Sequence, residues 1–252
     1  MVYDGKNKTY TILGKKTHRL PKKQKYPTIL FQPSDLNLIS GSPSRRRDYF
    51  NHFFSNLSEE YNLALSKYEK TLRQRNELLK TNNLNQGSLF SWNILLAKYG
   101  TLLHRLRQEF TDIINLSLTP TYLSIASNND RITLLYQTTT DENENHYLNT
   151  LESNFNKDCL IGHTSFGVHK DNFEFEFNHS LADGSASRGE SRSIILALKF
   201  IEANMIIEKL GQKPIILLDD VFSELDQNHR KCLIENFKNH QVIITSVEDS
   251  IH

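Results

Sequence analysis

Apolar residues along the chain fall into distinct spacings, and each spacing predicts an element. Tyr61, Leu65, Tyr68, Leu72 and Leu79 recur at three-, four- or seven-residue steps, which puts them on one helix face. A longer stripe follows: Trp92, Leu95, Leu96, Tyr99, Leu102, Leu103, Leu106, Phe110 and Ile113. Such stripes are most often core packing. Leu84-Asn85-Gln86-Gly87-Ser88 separates the two, and Ser44, after Pro43, is read as the cap opening the first helical run. Residues 42–118 therefore read as an antiparallel helical lobe.

The other spacings predict strands. Phe173-Glu174-Phe175-Glu176-Phe177 alternates cleanly, with its phenylalanines on one face. Thr9 to Leu13 reads as a short strand preceded by a hairpin turn at Gly5-Lys6-Asn7. Thr28 to Phe31 is another, stopped by Gln32-Pro33 because proline cannot donate to a ladder. Thr119-Pro120 is expected to end the helical lobe. Tyr122 to Ala126 and Ile132 to Tyr136 then read as strands joined by a polar turn, Thr138 to Asn145 as a loop, Tyr147 to Phe155 as a helix and Phe166 to Val168 as a strand. A helix from Gly189 to Leu210 buries Ile194, Ile195, Leu198, Ile201, Met205 and Ile206 on one side. The aliphatic strand Ile215-Ile216-Leu217-Leu218, a helix from Gln227 to Asn239 and a strand from Gln241 to Thr245 complete the order. The simplest description is an α/β head split by an all-helical insertion.

Composition narrows the class. The chain has 252 residues, 38% hydrophobic and 23% charged, which fits a globular protein. The net charge of +1 gives no global field for nucleic acid. From Lys6 to Arg47, however, lysine and arginine are opposed only by Asp35. Such a stretch either meets phosphates or is a solvated loop. The two cysteines lie far apart with no metal-type neighbours, so reduced thiols are expected. With no apolar leader and no bilayer-length apolar run, a cytoplasmic location is expected.

The candidate chemistry lies in the last third. Asp219 and Asp220 follow four aliphatics, where a strand's carboxyl end would present them to a ligand. There a carboxylate can hold Mg²⁺ that bridges phosphate oxygens, and its neighbour can orient an attacking water. Asp-Asp alone could equally cap the next helix. Ser223-Glu224-Leu225-Asp226 directly after it sharpens the signal. Upstream, Ser185 to Ser191 is a small-residue turn opening a helix, where backbone amides favour a phosphate. Ser187 could donate its hydroxyl there, with Arg188 and Arg192 adding charge; in isolation an ordinary capped helix start explains the turn. No G-x-x-x-x-G-K-[ST] occurs. Gly14-Lys15-Lys16-Thr17 is a decoy, lacking the leading glycine and the hydroxyl residue after the lysine. His163 and His169 lack zinc-type spacing, and Cys159 reads as a structural thiol. Arg45, Arg46 and Arg47 begin a helix against its dipole, which points either to a partner such as DNA phosphate or to surface salt bridges.

Together these residues resemble the RecF family of replication and repair ATPases, related to the heads of SMC and ABC proteins. Ile29 to Leu36 and Gly41 to Arg47 resemble the family's entry into its helical lobe, and Tyr68 with Leu72-Arg73-Gln74-Arg75-Asn76 its first long helix. Gly167-Val168-His169-Lys170-Asp171 resembles its Gly-Pro-His-Arg-Asp strand, departing at Val168 and Lys170. The likeness runs from about residue 28 onward in the family's order. It implies an ABC/SMC-type ATPase head: residues 1–41 and 119–252 as parts of lobe I, and 42–118 as helical lobe II. It implies Asp219 as the Walker B metal ligand and Asp220 as general base. Ser187, Arg188, Gly189 and Glu190 become the signature contacting ATP on a second copy, Ser223 and Asp226 the D-loop, and Gln32 a residue near the metal. Thr245-Ser246 stands where many ABC proteins carry a switch histidine. ATP, Mg²⁺, DNA, a homodimer and recombination mediator proteins are the implied cofactors and partners. The family's opening strand, Walker A loop and helix have no counterpart, so a fragment or half of a split ATPase with weak ATP affinity is expected. A non-catalytic DNA- or protein-binding scaffold is the alternative.

Overall fold

The computed structural model describes residues 2–3, 8–12, 14–18, 26–81, 84–126 and 129–245. Strands β1 (Val2–Tyr3), β2 (Lys8–Ile12) and β3 (Lys15–Thr17) form a small antiparallel sheet. Gly14, at φ 79°, turns β2 into β3. Gly14-Lys15-Lys16-Thr17 is therefore a hairpin, not a phosphate loop opening a helix. The turn expected at Gly5-Lys6-Asn7 lies outside the described residues.

Strand β4 (Thr28–Phe31) stops at Gln32-Pro33, as the proline dictates. After the single turn α1 (Asn37–Ser40) come the helices α2 (Pro43–Leu57), α3 (Glu59–Leu79) and α4 (Phe90–Ala126). The cap of α2 is Ser42, not Ser44: its Oγ accepts from the Arg45 amide at 3.4 Å. Pro43 thus takes the first helical position, where no amide proton is needed. Ser58 breaks the helical run and recaps it by accepting from the Tyr61 amide at 3.1 Å.

Two expectations for the next segment are overturned. Helix α4 runs through Thr119-Pro120 to Ala126, so Tyr122 to Ala126 is helix, not strand. Pro120 is exposed, as is Leu116, so the carbonyl that the proline leaves without an amide partner lies on the solvent-facing side of the helix. Tertiary contacts anchor the helix on both sides of Pro120. Asn115 donates to the Leu134 carbonyl at 2.9 Å, Thr119 to that of Ile132 at 2.8 Å, and Tyr122 is buried. Of the predicted stripe, Ile113 faces out at 45% exposure and Ile114 is buried in its place.

Strand β5 (Ile132–Gln137) is followed by α5 (Glu144–Ser153), α6 (Phe155–Ile161), β6 (Asn172–Phe177) and β7 (Ser180–Leu181). These strands form a second antiparallel sheet, β5-β6-β7, with Phe173, Phe175 and Phe177 of β6 buried. Phe166 to Val168 is not a strand; a 3-10 turn occupies Val168–Lys170. Its backbone bonds to side chains instead of a ladder. Arg107 donates to the Val168 carbonyl at 2.7 Å, and the Val168 amide donates to the Tyr147 hydroxyl at 3.4 Å.

The broken turn α7 (Ala182–Ser185) leads into α8 (Arg188–Leu210), β8 (Ile215–Asp219), α9 (Gln227–Phe237) and β9 (Val242–Thr245). Helix α8 is buried all round from Ser193 to Ala203, not on one side only. Strands β4, β8 and β9 form a parallel sheet in that order. A hydrophobic core links this sheet and α8 to the helices, with Phe50, Phe53, Phe54, Tyr61 and Phe173 packed ring against ring. Two arginines are sealed inside. Arg75 bonds Asp158 at 2.8 Å, Thr164 at 2.7 Å and Asn93 at 2.8 Å. Arg107 bonds Asp171 at 2.8 Å.

Candidate functional site

The parallel sheet brings three polar residues to one edge. Phe31 is in register with Leu218, and Asp219 with Thr245. Gln32, Asp219 and Thr245 therefore stand side by side at the carboxyl ends of β4, β8 and β9, where open α/β sheets bind ligands. Thr245 Oγ1 donates to Asp219 Oδ1 at 2.6 Å, which fixes the carboxylate. Sequence reasoning saw in Thr245 only a missing histidine; this bond gives it a role. Ser246 lies outside the described residues.

Asp220 has φ 51° and ψ 27°, left-handed values that are uncommon for a non-glycine residue. Its amide donates to the Thr245 carbonyl at 3.1 Å. Backbone strain of this kind concentrates at functional sites. Ser223 sits in the 3-10 turn Val221–Glu224. Asp226 caps α9, accepting from the amides of Asn228 and His229 at 3.0 Å each. The His229 amide, then its ring, hold the Asp226 carboxyl below the usual carboxylate range.

The start of α8 is built as a capping box. Ser187 Oγ accepts from the Glu190 amide at 3.3 Å, and Glu190 Oε2 accepts from the Ser187 amide at 2.6 Å. Capping occupies the serine oxygen as acceptor and leaves its O–H as donor. Ser187 and Arg188 are exposed, and a Cβ on Gly189 would meet nothing within 4 Å. Lys199 reaches the Leu30 carbonyl near the end of β4, at 2.8 Å. At 1.5 Å per residue, Arg188 then lies roughly 16 Å further along the helix.

Beside Gln32 lies a cavity of about 420 Å³ that the sequence did not reveal, lined by Ser34, Asp35, Arg45, Tyr49 and Lys199. Lys199 is buried, 3.2 Å from Asp35 and 4.6 Å from the centre of the Tyr49 ring. Burial, then Glu202, which accepts from its hydroxyl at 2.7 Å, push the Tyr49 phenol up.

The three arginines are not equivalent. Arg46 is buried at 5% exposure, bonding the Gly41 carbonyl at 2.6 Å and Asn172 at 3.0 Å. That corrects its assignment as a DNA contact, since its guanidinium is consumed in holding α2 to β6. Arg45 is exposed, and Arg47 is half-buried with a bond to the Asp171 carbonyl. Among the described residues no group of three or more His, Cys, Asp or Glu could enclose a metal. Nor is any described helix long and apolar enough to cross a membrane.

Comparison with protein-family models finds no match. Individual relatives are clear. The DNA replication and repair protein RecF of Clostridium novyi (strain NT) is 32% identical over 223 residues, covering 87% of this chain and 62% of that protein. RecF of Clostridium perfringens (strain SM101 / Type A) is 33% identical over 229 residues, covering 89% of this chain and 63% of its own length. A solved structure of the recombination mediator protein RecF-ATPrS in the RecFOR pathway superposes with a TM-score of 0.79 at 28% identity, covering 90% of this chain and 64% of that one. RecF-ATP gives a TM-score of 0.77. The chain thus spans somewhat under two thirds of the length of the relatives it matches. Its fold is the α/β fold of an ABC/SMC-type ATPase head with a long helical insertion. In sequence and in structure, over about nine-tenths of its own length, the chain is similar to RecF proteins.

Proposed function

We infer that this chain supplies the signature, Walker B and D-loop parts of a RecF-like, ATP-dependent DNA-binding head acting in recombinational repair and replication restart. The observation that carries this is the alignment of Gln32, Asp219 and Thr245 along one sheet edge, in a chain similar to RecF that also carries an exposed turn opening α8. In this reading Asp219 and Gln32 hold Mg²⁺. The donor set fits: one exposed carboxylate with an oxygen left over from Thr245, and an amide on the next strand. Mg²⁺ typically binds through one or two carboxylates with the phosphates completing its shell. The ion would neutralise charge developing on the phosphates. Asp220 orients the attacking water. Ser187, Arg188, Gly189 and Glu190 project beyond the sheet to meet ATP held by a second copy, with Ser223 and Asp226 between the two sites. DNA and the mediator proteins of the pathway are the partners.

The test is ATP turnover. The chain alone is expected to give none, for want of a phosphate-cradling loop. Adding a polypeptide with the opening Walker A segment of a relative should produce turnover that Asp220→Asn abolishes. Turnover by the chain alone that survives Asp220→Asn would refute the assignment. The second reading is a non-catalytic DNA- or protein-binding scaffold. No turnover under either condition, with DNA or partner binding retained, would select it.

A further inference from the structure

A hydrogen-bond chain joins the D-loop to the first turns of α8. His229 Nδ1 lies 2.7 Å from Asp226 Oδ2, and His229 Nε2 lies 2.8 Å from Ser193 Oγ. The Ser193 hydroxyl also reaches the Gly189 carbonyl at 3.2 Å. Ser193 is 2% exposed and the His229 side chain 12%. Neither residue belongs to the recognised motifs, yet each touches one: His229 the D-loop aspartate, Ser193 the signature glycine.

We propose that His229 is a positioning residue, and that its tautomer, set by Asp226, decides whether the Ser193 hydroxyl bonds the Gly189 carbonyl. While the imidazole is neutral, the proton count allows only one arrangement at a time. With Asp226 in contact, Nδ1 carries the proton and donates to the carboxylate, so Nε2 is an acceptor. The single Ser193 proton then goes to Nε2. When Asp226 withdraws, Nε2 can carry the proton and donate to Ser193 Oγ. The Ser193 proton is then released to the Gly189 carbonyl, one turn back on the same helix. Such a serine back-bond bends a helix, so it tilts the turn carrying Ser187 to Glu190. Displacement of the D-loop is thereby reported at the signature of the same copy through one imidazole.

The roles of Gly189 and Asp226 as signature and D-loop rest on the function proposed above. The hydrogen-bond chain does not, and it is read by nuclear magnetic resonance on the 252-residue chain without nucleotide. His229 is expected as the Nδ1–H tautomer. Asp226→Ser, which keeps a helix-capping oxygen but not the carboxylate, should move His229 to Nε2–H and shift the Gly189 carbonyl carbon. The same substitution in a Ser193→Ala background should leave that carbon unmoved. An Nε2–H tautomer in the unsubstituted chain, which requires no folded variant, would overturn the proposal. So would a Gly189 carbonyl that stays put while the tautomer changes, or one that moves equally without Ser193.

Discussion

Gly167 is fixed by its neighbours. Its φ is 129°, a value that side chains rarely adopt, and a Cβ there would collide with the hydroxyls of Tyr147 and Tyr68. Gly167→Ala therefore combines strain with overpacking and should cost at least about 2 kcal/mol, read as a lower denaturation midpoint in urea. His169, two residues on, bonds Tyr68 through Nδ1 at 2.8 Å and Thr164 through Nε2. Burial pulls its imidazole down to about 4. The unfolded side chain titrates near 6.5, so between those values the unfolded state binds more protons. Stability then falls as the pH drops from about 6.5 to about 4, by on the order of 3 kcal/mol, and this contribution is flat outside that window. His169→Gln should remove the slope in pH-dependent unfolding. Both residues belong to a stretch whose family likeness was legible, but its geometry was not, because the atoms that set it come from α3 and α5.

Among elements, the buried arginines set the architecture. Arg75 on α3 and Asp158 on α6 are both fully enclosed, with Asn93 of α4 and Thr164 completing the shell. Removing one member leaves a charge buried without its partner. Asp158→Asn should thus destabilise by about 3–5 kcal/mol, while substituting exposed Glu77, paired with Lys80 on the surface, should cost under about 1 kcal/mol. Comparative denaturation of the two variants checks the contrast. The amphipathic stripes on α3 and α4 were readable from spacing. Continuation of α4 past Pro120 was not, because the burial of Tyr122 that favours it over the local helix-breaking preference depends on the closed core. The capping box at Ser187 was readable, since both partners lie within four residues.

For the molecule as a whole, the proposed DNA contact must now do without Arg46. Binding to duplex DNA should weaken steeply as salt rises, because phosphate contacts release counterions. Arg45→Gln is expected to reduce the magnitude of the log–log salt slope by about 1. Arg46→Gln should leave the slope alone and lower folding stability instead. Salt-insensitive binding, or a slope changed only by Arg46→Gln, would count against the surface drawn here.

The aliphatic strand that delivers Asp219, the capped start of α8, the helix stripes and the RecF likeness are legible in residue order. All of these rest on neighbours within a few residues, or on residue order. Only the closed fold sets Thr245 against Asp219, spends Arg46 internally and brings His229 to Ser193. Those contacts join residues separated by tens to more than a hundred positions. They exist only once the core has closed around α8, and no local pattern encodes them.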